Sequence, residues 1–88
     1  MHEARLVRDL VSQIDRVARE EHADHVETVT IEIGALSHVT PDSLQGCFEL
    51  LAHGTKAQDA HLSISRSTDR SAAYAHDVKL VSIGVEDG

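Results

Sequence analysis

The chain begins Met1-His2-Glu3, which sets an α-amine, an imidazole and a carboxylate side by side. The amine, the backbone nitrogen of His2 and its imidazole can close fused chelate rings around one metal ion. The backbone nitrogen of Glu3 can complete a planar nitrogen set. Such tetragonal coordination suits Ni(II) or Cu(II) and fits tetrahedral Zn(II) poorly. The amine, and any amide that ligates, must lose a proton, so a site of this kind weakens as pH falls. The Glu3 carboxylate can serve as a further ligand, as an acceptor for the imidazole N–H, or simply as a negative charge in the first turn of a helix. On spacing alone, the same three residues also read as the ordinary start of a helix with an exposed histidine.

Six further histidines follow: His22, His25, His38, His53, His61 and His76. No two stand in an H-x-x-x-H relation on one helix, and no cysteine cluster accompanies them. His22 and His25 flank the end of the first helix, where a cationic or hydrogen-bonding side chain is ordinarily favourable. His38 precedes Thr40-Pro41-Asp42 and can either join a site with Asp42 or bond to backbone as a loop residue. His61 and His76 can meet only if the strands beside them are neighbours. Cys47 is the only cysteine, which excludes an internal disulfide and a thiolate zinc cluster within one chain. On the stripe of a helix it reads as a small hydrophobe.

With 88 residues the chain makes one domain, residues 1–88, near the lower size limit for folding without staples. Phe48 and Tyr74 are its only aromatics, so the core must be aliphatic and thin. A spacious buried active site is not expected. Eight basic against fifteen acidic residues give a formal charge of −7, which disfavours nucleic acid and anionic membranes as partners. No apolar run approaches membrane-spanning length and the start lacks a signal-peptide pattern, so a cytoplasmic location is expected. No nucleophile elbow, phosphate-binding glycine loop or cysteine–histidine pairing of recognisable spacing points to an enzyme.

From Glu3 to about Glu21 the apolar residues Leu6, Val7, Leu10, Val11, Ile14, Val17 and Ala18 recur with a helical period. Arg5/Asp9 and Asp15/Arg19 are oppositely charged (i, i+4) pairs on the exposed face. In VETVTIEIG, Val29, Ile31 and Ile33 alternate with Thr28, Thr30 and Glu32, as in a half-buried strand. Thr40 then caps a second helix, with Pro41 at its first position and Asp42 in its first turn. Leu44, Cys47, Phe48 and Leu51 make its buried stripe, and Gly54 is the expected stop. HLSIS is a short strand, RSTDRSAAYAHD (66–77) a polar connection, and VKLVSIGVE a closing strand. Val81, Ile83 and Val85 share one phase there, while Val78 and Leu80 share the other, so a bulge near Leu80-Val81 or partial burial of both faces is expected.

The order helix–strand–helix–strand–strand predicts an α+β fold with two amphipathic helices on one face of a small three-stranded mixed sheet. The strands flanking the second helix should be parallel, with a right-handed crossover. The other sheet face is left to solvent or to a partner.

M-H-E at the start, the strand I-E-I-G-A-L-S, then P-D-S-L, F-E-L and G-T-K-A-Q-D-A-H-L-S-I resemble the HypA/HybF family. The resemblance runs from Met1 to about Ile64, and V-S-I-G-V-E resembles the family's closing strand. It implies a nickel metallochaperone of hydrogenase maturation, with urease as an alternative recipient. It further implies a nickel site at Met1, His2 and Glu3. Its implied partners are a nickel-inserting maturation GTPase and the hydrogenase large-subunit precursor. The family carries two C-x-x-C pairs on a zinc lobe between the last two strands, where this chain has RSTDRSAAYAHD, so zinc is not expected. The alternative function is a protein-interaction or regulatory module without nickel delivery, for which strand addition at an exposed edge would give a homodimer.

Overall fold

The computed structural model describes the backbone from His2 to Glu86 and the side chains from Glu3 to Val85. Helix α1 spans His2–Glu20, strand β1 His25–Ile33, helix α2 Pro41–Leu51, strand β2 His61–Arg66 and strand β3 Val78–Glu86. The sheet order is β2-β1-β3. β2 runs parallel to β1 with Ile31 beside Ile64, and β3 runs antiparallel to it with Val29 beside Ile83. The expected mixed sheet is present. Its order places β1 between the strands next to His61 and His76, so these two histidines do not meet across a strand pair.

Alternation from Val29 onward sorts the two faces of β1, and a register shift between Val26 and Thr28 brings Val26 onto the buried one. Val26, Val29, Ile31 and Ile33 are buried, while Glu27 and Thr28 are exposed. The buried face meets Val7, Leu10, Val11, Ile14 and Ala18 of α1, and Leu44 and Phe48 of α2. α1 lies over β3, α2 over β2, and the two helices pack on each other. The opposite face carries Thr28, Thr30, Glu32, Ser63, Ser65 and Lys79, with no described element covering it.

The phase conflict in β3 is resolved by a bulge. Thr30 pairs with Ser82 and Ile31 with Leu80, leaving Val81 unmatched and 53% exposed. Val78 and Leu80 before the bulge, and Ile83 and Val85 after it, then all pack toward the core. Val81 therefore does not share an inward phase with Ile83 and Val85.

The ends of the helices follow local chemistry. α1 closes in a Schellman motif, with Ala23 N–H donating to Ala18 O at 2.9 Å and His22 N–H to Arg19 O at 3.0 Å. His22 takes the left-handed position with φ 56°, where glycine is the usual occupant. Of the two (i, i+4) charge pairs, Asp15–Arg19 closes, at 2.7 Å. α2 starts as expected, with Ser43 N–H donating to the Thr40 side chain. It ends at Leu51 with Ala52 as its cap, three residues before Gly54, whose φ of 81° serves the following turn instead.

Candidate metal centre

Of the three residues proposed as metal ligands, Met1 and the side chain of His2 lie outside the described residues. The His2 backbone opens α1, and Glu3 sits half-buried in its first turn. The Glu3 carboxylate does not lie free at a frayed end. Its Oε2 accepts a hydrogen bond from Ser43 Oγ at 2.6 Å, tying the start of α1 to the start of α2. This contact is charge-assisted and short.

Beside Glu3 lies a cleft of about 240 Å³ lined by Glu3, Leu6, Ser37, His38, Val39 and His76. Both histidines are exposed and belong to segments that are braced together. Gly34 N–H donates to Asp77 O at 2.8 Å, and Leu36 N–H to Ala75 O at 2.7 Å. From below, the Arg66 guanidinium donates to the carbonyls of Gly34, Ser37 and Val39 at 3.2, 3.2 and 2.8 Å. A side chain at the end of β2 thus holds the whole β1–α2 loop in place.

The fold brings Glu3, His38 and His76 to the rim of one cleft, which His22, His25, His53 and His61 do not line. His22 and His25 stand near the start of β1, and His61 opens β2 beside Thr28. His53 lines a separate cleft of about 360 Å³ past the end of α2, with Glu49 and Asp59. Asp42 contributes charge in the first turn of α2. Among the described residues, no group of three or more His, Cys, Asp or Glu side chains is gathered to hold a metal.

Cys47 lies one turn beyond Ser43 on α2, half-buried against the core. Burial pushes its thiol up, the Glu3 carboxylate adds to that, and Arg8 opposes it. It remains a neutral thiol near pH 7, consistent with a packing role.

Sequence reasoning missed three features here: Ser43 as the partner of Glu3, Arg66 as the strap of the loop, and His76 on the rim of the Glu3 cleft. The first two are contacts across 40 and about 30 residues, for which local pattern carries no signal. The T-P-D-S cap did mark Ser43 as a first-turn residue of α2, though not what its hydroxyl would reach.

The fold is that of a small α+β protein in which Glu3, the one described side chain among the three expected ligands, stands in the first turn of α1. The family model described as "Hydrogenase/urease nickel incorporation, metallochaperone, hypA" matches residues 1–73. "Hydrogenase maturation factor HypA" of Rhodopseudomonas palustris strain TIE-1 is 41% identical over 88 residues, covering 99% of this chain and 76% of that protein. The protein of the same name from strain BisB5 is 45% identical over 64 residues, which make up 73% of this chain and 57% of that relative. The solution structure of the Ni metallochaperone HypA from Helicobacter pylori aligns with a TM-score of 0.79 and 17% identity, over 94% of this chain and 96% of that one. At that identity the likeness is one of fold. The chain belongs to the HypA family.

Proposed function

We propose that this chain is a nickel-binding accessory protein that takes up Ni(II) and passes it to a maturing nickel enzyme, in the first place a [NiFe]-hydrogenase, with urease as the alternative recipient. The observation that carries this reading is the family match over residues 1–73, which takes in Met1-His2-Glu3. The metal is cargo, held by the Met1 amine, the His2 backbone nitrogen and imidazole, and the Glu3 backbone nitrogen.

The physical chemistry of a helix start supports it. The first N–H groups of α1 have no acceptor within the helix, so recruiting the nitrogens of His2 and Glu3 breaks no helical hydrogen bond. With the Glu3 carboxylate engaged by Ser43, its place in the site is that of an anchor and a neighbouring charge. An open terminus suits delivery, because a closed cage would hold the ion too well.

The rest of the proposal follows from the family. Residues 1–88 act as one nickel-handling domain, with 66–77 joining β2 to β3 where the family's zinc lobe would be inserted, and zinc has no role in it. The partners are a nickel-inserting maturation GTPase and the hydrogenase large-subunit precursor. The chain is not an enzyme and works in the cytoplasm; no described helix is long and apolar enough to cross a membrane. β3 is an edge strand, so a second copy can add there to form a homodimer.

Delivery is tested by loading the protein with one equivalent of Ni(II) and mixing it with metal-free hydrogenase large-subunit precursor. Nickel leaving the chain and appearing on the precursor supports the reading. Retention by the chain, under conditions where free Ni(II) loads the precursor, contradicts it.

A further inference from the structure

We propose that Ser43 is a positioning residue of the N-terminal nickel site, and that nickel occupancy is thereby coupled to order at the start of α2. The inference rests on the nickel reading above and adds to it a residue from a different helix.

Ser43 has one hydroxyl proton and two acceptors in reach, Glu3 Oε2 at 2.6 Å and Thr40 O at 3.3 Å. The short, charge-assisted contact takes the proton. Thr40 Oγ1 lies 3.1 Å from Ser43 Oγ and donates its own proton there. Two O–H groups thus point in sequence, Thr40 to Ser43 to the Glu3 carboxylate, and each polarises the next. The same Thr40 oxygen accepts from Ser43 N–H at 3.2 Å, so the cap of α2 and the anchor of α1 are one arrangement.

Anchoring the Glu3 side chain holds the first turn of α1, whose backbone nitrogens are the proposed donors. Without the anchor the metal must order that turn itself, at a cost in affinity. Linkage is reciprocal: a metal that fixes the Glu3 backbone also tightens the hold of its carboxylate on Ser43. The start of α2 then registers whether nickel is bound.

Ser43→Ala removes the hydroxyl and leaves the capping bond from the residue 43 N–H to Thr40 intact. The position is exposed, so packing is unaffected. Ser43→Thr restores a hydroxyl. Wild type and both variants, with the authentic amino terminus, are titrated with NiCl2 by calorimetry. Amide hydrogen exchange at residues 43 and 44 is measured with and without one equivalent. Ser43→Ala is expected to bind one equivalent with an unchanged absorption spectrum, about threefold to tenfold more weakly, and Ser43→Thr within about twofold of wild type. Nickel should slow exchange at these amides in wild type and Ser43→Thr but not in Ser43→Ala.

Affinity and nickel-dependent protection in Ser43→Ala equal to wild type would overturn the inference. So would a loss that Ser43→Thr fails to restore, since the hydroxyl would then not be the cause. If wild type binds no nickel, the functional reading falls and this inference falls with it.

Discussion

Tyr74 is the only tyrosine in a chain without tryptophan, so its ionisation can be followed by ultraviolet absorbance alone. Its hydroxyl donates to Glu32 Oε1 on the uncovered sheet face, and Lys79 Nζ stands 5.0 Å from its ring centroid. The bond to Glu32 raises the phenol above its ordinary value, with Ser67 acting in the opposite direction. The bond's stabilisation is complete below the ordinary tyrosine range and lost as pH rises through the raised folded value. Alkaline titration should show one tyrosine with a midpoint above about 10, and Glu32→Ala should return it toward that value. An unshifted midpoint in the wild type would mean that the contact does not hold in solution. His22 offers a second test at this scale. Its left-handed φ costs an L-residue more than glycine, so His22→Gly should raise unfolding stability by about 0.5–1 kcal/mol. Nothing in the sequence marked His22 for that position, because a Schellman turn usually announces itself by a glycine or asparagine. The polar periodicity break at EEHADHV located the end of the helix but not its geometry.

The elements were largely legible because their periods are clean. The 3.6-residue stripe of α1, the alternation in β1 and the Thr40-Pro41 start of α2 each follow from local physics, and each stands within a residue or two of its expected place. The bulge at Val81 was legible as one of two resolutions of a phase conflict, the other being partial burial of both faces. Exposed at the bulge, Val81 should accept Thr or Lys with a change in stability within about 0.5 kcal/mol, measured by denaturant unfolding. Long-range fastening was not legible. A Cβ on Gly34 would run into the backbone carbonyls of Tyr74 and Ala75, which close over it. Backbone cannot step aside as a flexible side chain can, so Gly34→Ala should cost about 1–3 kcal/mol. Arg66→Lys keeps a charge but loses the fork that spans three carbonyls, and should quicken amide exchange across residues 34–39 without melting the sheet. Unchanged exchange there would assign the loop's order to the Gly34–Asp77 pairing alone.

For the molecule as a whole, the layer arrangement was predictable, since two one-sided helices need one apolar sheet face. The strand order was not. Placing β1 at the centre separates β2 from β3, which removes a His61–His76 encounter and instead sets His76 on the Glu3 cleft with His38. The result sets Glu3, His38 and His76 on one cleft, beside the bond that ties the start of α1 to the start of α2. Nickel titration of three proteins tests the central claim most directly: wild type with its authentic amino terminus, His2→Ala, and a form extended before Met1. Calorimetry and visible absorption should show one equivalent of Ni(II) with a planar nitrogen spectrum in the wild type alone, weakening as pH falls because protons must leave the donors. Equal binding by all three would place the metal on other residues and contradict the account, and no binding by the wild type would leave a protein-interaction module as the better reading of this fold.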